Sequence, residues 1–366
     1  MTLSVNVRHR QGEFTVDAAF ESRGRLTALF GQSGSGKSTL VNIIAGLIRP
    51  DEGRVEVDDR VLSDSKAGRF VPTHQRRIGY VFQDARLFPH LSVAQNLAFG
   101  RWFTPTADRY VDQRSVVDLL GIGNLLDRRP AMLSGGEKSR VAIGRALLAS
   151  PKLMLMDEPF ASLDEARKAE IFPYIERLRD ELNIPIVYVS HSVAEVARLA
   201  TDVVVLASGR VQSSGPAPAV LSQANVLPEA DRAEAGALVE LELVEADDGY
   251  GLSLLHSSGG EWRLPHVDAP PGAKLRARVR ARDVMLATER PAGISALNVL
   301  AGTVAEITEA GPAEVVVSIA SGHDLIPARI TRRSLQTLGL TPGAPAFALV
   351  KSITLTEATR APANGG

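Results

Sequence analysis

Gly31-Gln32-Ser33-Gly34-Ser35-Gly36-Lys37-Ser38 follows a short apolar run, Leu26 to Phe30, and Thr39 extends it. Glycines at these positions let the backbone curl so that successive N–H groups point at phosphate oxygens. A helix starting there would turn its positive end to the same anion. Lys37 adds a compact cation for the β and γ phosphates, and the Ser38 hydroxyl suits Mg²⁺. A Gly/Ser-rich surface turn would share this composition, but not the strand before it and the amphipathic pattern after it. Asp157-Glu158 ends another apolar run, Leu153 to Met156. Carboxylates there emerge at the carboxyl edge of a sheet, where open α/β folds bind ligands. Asp157 suits Mg²⁺, directly or through water. Glu158 is placed to act as general base on an attacking water. Gln83 follows Tyr80-Val81-Phe82, and His191 follows Ile186 to Ser190. Gln83 could contact Mg²⁺ or the water; His191 could donate to the γ-phosphate. Alone, either would read as polar surface; their places at strand ends single them out.

The elements that must hold these groups alternate. Leu3, Val5 and Val7 read as a half-buried strand. Further strands are expected at 26–30, 78–82, 153–156, 186–189 and 203–206. Helical spacing appears at Leu40, Ile43, Ile44 and Leu47, at Ser115 to Leu120, Glu137 to Ala149 and Glu165 to Leu182. This order predicts an α/β domain with a largely parallel sheet. Residues 87–150 read as an inserted helical subdomain. After Val211 the composition shifts: Ser213-Ser214-Gly215-Pro216-Ala217-Pro218 reads as a turn or linker. From Ala237 the chain reads as all-β, with strands at 237–244, 275–286, 300–307, 314–319 and 346–355. Pro271-Gly272-Ala273 and Pro342-Gly343-Ala344 each precede an alternating run, a weak internal repeat.

Composition narrows the class. The 366 residues suggest two or three domains, and 45% hydrophobic with 23% charged residues is ordinary for a globular protein. Net charge is −1, from 41 basic and 42 acidic residues, so no basic field argues for nucleic acid. There are no cysteines, which excludes disulfides and thiolate metal sites. No apolar run approaches the roughly 20 residues that cross a bilayer. Met1-Thr2-Leu3-Ser4-Val5 does not start a signal peptide. Service to a membrane would therefore come from the cytoplasmic face of the inner membrane, through partners.

Leu133-Ser134-Gly135-Gly136-Glu137, a helix ahead of Asp157-Glu158, completes a pattern that resembles the ATP-binding cassette (ABC) ATPases over residues 1–215. The resemblance implies a phosphate-loop NTPase cassette using ATP and Mg²⁺. It makes 31–39 the phosphate loop, Gln83 the Q-loop residue and Leu133 to Glu137 the signature. Ser162-Leu163-Asp164 becomes the D-loop and His191 the switch histidine. It implies a head-to-tail homodimer, in which Ser134 and the Gly135 and Gly136 amides meet the γ-phosphate of ATP held by the other chain. Glu137 stands where Gln is commoner. The family also stacks adenine on an aromatic ahead of the phosphate loop. Here that region reads Arg8-His9-Arg10-Gln11-Gly12-Glu13-Phe14; a planar group of Arg8, His9 or Arg10 could serve, and Phe14 could belong to a core strand.

The tail resembles a Mop (molybdopterin-binding-like) domain of OB-like type over 291–357. The similarity lies in Ile294 to Leu300, Ala328 to Thr331, Leu338 to Leu340 and Ala348 to Ser352. The phrase Tyr80 to His90 resembles molybdate importer ATPases. The whole chain is thus similar to the ATP-binding subunit of a molybdate ABC importer. That implies membrane-spanning permease subunits, reached through an apolar groove near Phe88 and Leu91, and indirectly an external molybdate-binding protein. Residues 216–236 would link the cassette to a β segment at 237–290 and the Mop-like domain. Ser295, Asn298, Lys351 and Ser352 could bind molybdate and sense its internal level; they could equally satisfy turns in a small barrel. The family often has Arg where Leu297 stands. A sulfate or tungstate importer, or a soluble oxyanion-binding regulator, are the competing readings.

Overall fold

The computed structural model describes residues 2–161, 163–182, 184–223, 236–246, 249–351 and 353–359. It contains two compact units, Met1–Pro216 and Ala217–Gly366.

In the first unit, β1 (Leu3–Gln11) and β2 (Phe14–Ser22) form a hairpin, and β3 (Leu26–Phe30) is fully buried. Helix α1 (Lys37–Ala45) follows, then antiparallel β4 (Glu52–Val57), β5 (Arg60–Asp64) and β6 (Arg69–Phe70). Strand β7 (Ile78–Val81) leads into helices α2 (Val93–Trp102), α3 (Gln113–Leu120) and α4 (Gly135–Leu148), the expected helical insert. Then come β8 (Leu153–Asp157), α5 (Glu165–Glu181), β9 (Ile186–Ser190), α6 (Val193–Leu199), β10 (Asp202–Ala207) and β11 (Arg210–Pro216).

These strands form one sheet in the order β6-β5-β4-β1-β2-β11-β10-β3-β9-β8-β7. Its parallel part runs β10, β3, β9, β8, β7. Register decides the function of this part: Phe30 pairs with Ser190, Asp157 with Val189, and Val81 with Met156. Four adjacent strands therefore end at one level, and the loops that leave them share one edge. Leu40, Ile43 and Ile44 of α1 pack on Leu29, Leu155 and Val189 and fix the helix to that edge.

Two local expectations are corrected. Leu47 lies beyond the Gly46 cap of α1 and is exposed. Ser213 to Pro216 are not a turn but the end of β11, held antiparallel to β10 with a register shift after Val205. The linker expected from residue 216 begins instead with α7 (Ala217–Leu221), and residues 224–235 lie outside the described ones.

The second unit continues with β12 (Gly236–Glu245), β13 (Leu252–Ser257), β14 (Gly260–Pro265), β15 (Lys274–Arg280) and β16 (Val284–Ala287). After these come β17 (Asn298–Glu309), β18 (Glu314–Ser321), β19 (Asp324–Thr331), α8 (Arg332–Leu338), β20 (Pro345–Val350) and β21 (Thr354–Thr359). The single strand expected over 275–286 is broken at Ala281–Asp283 by a 3₁₀ turn. The break has a topological reason. The sheets run β14-β13-β12-β15-β21 and β16-β20-β17-β18-β19. Each repeat thus gives its last strand to the other: β16 follows β15 but pairs with β20, and β21 follows β20 but pairs with β15.

The weak Pro-Gly-Ala repeat is real in this structure. Gly272 N donates to Leu243 O at 2.7 Å, and Leu243 N to Ala273 O at 2.9 Å. Gly343 N donates to Val304 O at 2.8 Å, and Val304 N to Ala344 O at 2.9 Å. Trp262, Leu255, Val279, Val317, Ile319 and Ala348 from both repeats share one core.

Candidate nucleotide site

The phosphate loop leaves β3 at Gly31, where an added Cβ would lie 2.2 Å from Leu206 O on the neighbouring strand. Only glycine lets the loop turn that closely. Gly36, at φ +102°, is the N-cap of α1, and no side chain caps the helix. Its first N–H groups are thus available to an anion. Lys37 is buried, its Nζ donating to Gly31 O at 2.7 Å and Gln32 O at 2.8 Å. Burial lowers its pKa, and the charges of Glu158 and Asp157 push it back up. The ammonium is held under the loop it serves.

Ser38 Oγ donates to Asp157 Oδ1 at 3.2 Å. The other carboxylate oxygen accepts from Tyr80 OH at 3.4 Å. Burial raises the Asp157 pKa; the Ser38 hydrogen bond opposes this, and the adjacent Glu158 charge adds to it. An exposed hydroxyl and a half-buried carboxylate side by side are the hard oxygen donors Mg²⁺ prefers. Ser38 and Asp157 therefore fit that ion.

Glu158 has φ +44°, in the left-handed region although it is not glycine. Its N–H donates to Val189 O at 3.2 Å, which anchors the turn. Such backbone costs on the order of 1–3 kcal/mol and concentrates at functional sites. Here it brings the carboxylate to 3.2 Å between Oε2 and His191 Nδ1. The cleft, of about 410 Å³, is lined by Phe14, Ser33, Gly34, Gly36, Lys37, Ser38, Thr39, Gln83 and Glu158. The structure thus gathers the phosphate loop, Gln83, Asp157, Glu158 and His191 at one edge.

Phe14, which the sequence allows as a core-strand residue, does pack against the core and also lines the cleft. It opens β2 half-buried, and its ring edge would be 3.3 Å from a Cβ on Gly36. His9 instead pairs with Asp51 at 3.4 Å, and Arg10 Nε donates to Gly12 O. An aromatic two residues past the Gln11-Gly12 turn was the available signal. Sequence reasoning missed Arg145. From α4 it donates to Arg86 O at 2.8 Å and Ala85 O at 3.1 Å, tying the signature helix to the loop after Gln83.

The signature segment is not part of that cleft's lining. Ser134 is the N-cap of α4 and forms a capping box with Glu137: Ser134 N donates to Glu137 Oε2 at 2.7 Å, and Glu137 N to Ser134 Oγ at 3.3 Å. The backbone bond to Ser134 holds the Glu137 pKa below the usual carboxylate value. Glu and Gln serve equally at this capping position, which explains the Glu137 departure. Gly135 and Gly136 lie against Leu163 and Ile171. Asp164 caps α5, accepting from Arg167 N at 2.9 Å. Ser162 lies outside the described residues.

The residues expected to bind oxyanion are differently placed. Ser295 and Lys351 are exposed, and Ser352 lies outside the described residues. Asn298 is buried, with Oδ1 accepting from Arg263 N at 2.7 Å and Nδ2 donating to Arg263 O at 3.2 Å. It links β14 to β17 as a backbone pair would. A neighbouring cleft is lined by Arg263, Arg290, Glu261 and Leu297 among others.

Residues 19–161 match the ABC transporter family model, and residues 294–355 match the TOBE domain. The chain is 60% identical to the Molybdenum import ATP-binding protein ModC of Mesorhizobium japonicum, over 98% of this chain and 97% of that protein. It is 55% identical to the protein of the same name from Rhizobium meliloti, over 97% and 99%. Among solved structures, cbiO1 from Clostridium perfringens, part of the ABC transporter complex cbiONQ, is 29% identical at a TM-score of 0.50. It covers 61% of this chain and 92% of its own. A nucleotide-free ATP-binding cassette from an ABC transporter is 26% identical at a TM-score of 0.50, over 59% and 92%. The chain thus belongs to the molybdenum import ATP-binding proteins, an ABC ATPase cassette followed by a TOBE domain.

Proposed function

We propose that this chain hydrolyses ATP on the cytoplasmic face of the inner membrane to drive molybdate import through permease subunits. The observation that carries this reading is the convergence of Lys37, Ser38, Asp157, Glu158 and His191 at the carboxyl ends of adjacent parallel strands. The names of the relatives supply the cargo.

In this reading the amides of 33–39 and Lys37 hold the phosphates. Phe14 offers its ring to adenine. Ser38 and Asp157 hold Mg²⁺, with Gln83 beside them; the ion would neutralise charge on the phosphate oxygens. Glu158 takes the proton of the attacking water. His191 keeps that carboxylate and the γ-phosphate aligned. Two copies pair head to tail, so that Ser134, Gly135 and Gly136 complete the partner's site, with Asp164 shaping the seam.

The permease contact fits the aromatic stack on the insert. Phe88 and Phe99 lie 4.3 Å apart, Phe99 and Phe103 5.5 Å, and Trp102 and Phe103 are exposed. Asn96 holds the 88–92 loop beneath it through Phe88 O, Leu91 O and Ser92 O. Such a surface suits an apolar helix of a membrane subunit. Among the described residues no helix is long and apolar enough to cross a membrane. The TOBE unit senses internal molybdate near the exposed Ser295 and Lys351, with Asn298 bracing β17 against β14.

The test is uptake into proteoliposomes holding the assembled transporter and its external binding protein. Molybdate should accumulate only with internal ATP and not with Lys37→Ala. Preferential accumulation of sulfate, or uptake by that variant, contradicts the reading.

A further inference from the structure

Below the site lies a buried charge that the chemistry described so far does not use. Glu195, on α6, is 7% exposed. Its Oε2 accepts from Tyr188 OH and from Ser190 Oγ, each at 2.7 Å. Its Oε1 pairs with Lys168 Nζ at 2.9 Å, and Lys168 also reaches Glu165 at 3.0 Å. Ser190 Oγ in turn accepts from Ser192 N at 3.0 Å, and Ser192 Oγ from Glu195 N at 3.4 Å. Ser190 and Ser192 flank His191. The histidine side chain itself is 56% exposed, and among the described residues its ion-pair contact is Glu158. The turn beneath it is therefore held from the protein side by one carboxylate. The cation neutralising that carboxylate sits on α5, one helical turn after the Asp164 cap.

We propose that Glu195 and Lys168 are positioning residues for hydrolysis: together they set His191 against Glu158 and tie it to the helix that starts at Asp164. Neither is among the residues that line the cleft. They act through the Ser190–Ser192 turn. A buried pair of this kind adds little net stability compared with an apolar pair, yet it fixes geometry, because losing either partner leaves a buried charge or hydroxyls without their acceptor. Movement of α5 at the dimer seam would then reach the γ-phosphate end of the cleft through a single ion pair.

This rests on the proposed role of His191, and the experiment separates the two. ATP turnover is measured in the assembled transporter for Glu195→Gln, Ser190→Ala, His191→Ala and the double variant Glu195→Gln/His191→Ala. Glu195→Gln should lower kcat roughly 10- to 100-fold with KM for ATP within about twofold. Ser190→Ala, which removes one buried hydroxyl, should lower kcat by a few fold and keep the fold if Glu195→Gln does not. Lys168→Met should lower kcat and Lys168→Arg restore most of it. In the His191→Ala background, Glu195→Gln should cost nothing further. Full losses that multiply in the double variant overturn the proposal, as does a rise in KM equal to the fall in kcat. Normal turnover in both Glu195→Gln and Ser190→Ala also overturns it, leaving the role of His191 standing. Normal turnover in His191→Ala removes that role and the proposal together.

Discussion

Replacing Glu158 by Gln changes one property of the site at nearly constant shape. The amide still fits the left-handed turn as well as the acid does, because the φ of +44° is set by the backbone bond to Val189 and not by the side chain. Its carbonyl can still accept from His191 Nδ1. What disappears is the base and its charge. General-base catalysis contributes about 10²- to 10⁴-fold, which at 1.36 kcal/mol per decade is about 2.7–5.4 kcal/mol of barrier. The charge has a second effect. Glu158 raises the pKa of its neighbour Asp157, after the larger effect of burial. Removing it makes Asp157 a better anion, so Mg²⁺–ATP should bind at least as tightly as before. Steady-state hydrolysis with a parallel nucleotide titration reads both effects. Turnover should fall at least a hundredfold with unchanged or lower Kd. Normal turnover refutes the base assignment, and a matching loss of affinity would assign Glu158 to binding instead.

Four further outcomes follow. Phe14→Ala should weaken ATP binding by about 1–3 kcal/mol, the range for base–aromatic stacking, with little change in kcat; an unchanged Kd by fluorescence titration removes Phe14 from the base. Ser134→Arg should abolish the ATP-dependent dimer on a sizing column while each chain still binds nucleotide, and a dimer of normal size would count against the shared site. For Asp157, burial raises the folded-state pKa, so acidification should weaken Mg²⁺-dependent ATP binding, and NMR of its carboxyl in the metal-free protein should find it titrating above an exposed aspartate; an equal or lower value contradicts it. The stability sign is the reverse: the protonated group costs nothing below its unfolded pKa, and the cost appears as pH rises through the folded value. Asp157→Asn should therefore melt higher than the parent at neutral pH, and a lower Tm refutes the burial argument.

The nucleotide site was legible because its parts are local. Gly31 to Thr39, Asp157-Glu158 and His191 each follow a short apolar strand, and a strand end is visible without its neighbours. That these ends align at one level was implied only by fold class, since the pairing of Phe30 with Ser190 joins distant segments. Phe14 was ambiguous for the same reason: a strand residue reads as core until the loop against it is seen. The Ser134–Glu137 box was readable from its S-x-x-E spacing, yet the segment was read through its ligand alone. The link from Lys168 to Glu195 has no local signature, because two surface-looking charges meet under the sheet edge. In the tail, alternation disclosed several strands but not β13, β14 or β19, and it ran β20 and β21 together as 346–355. Nor could it disclose the exchange of β16 and β21, which depends on partners far along the chain. Asn298 looked like a ligand donor in sequence; its amide instead replaces a missing backbone pair with Arg263.

Two chains with separable defects test the shared site most directly. A Lys37→Ala chain cannot hold the phosphates itself but keeps an intact Leu133–Glu137 segment. It is mixed with a tagged Glu158→Gln chain and an ATP analogue photoreactive at the γ-phosphate, and the labelled peptides are sequenced by chain. Label should appear at Ser134 of the Lys37→Ala chain, carried there by nucleotide seated in its partner. Label confined to the chain that holds the phosphate loop would contradict the account.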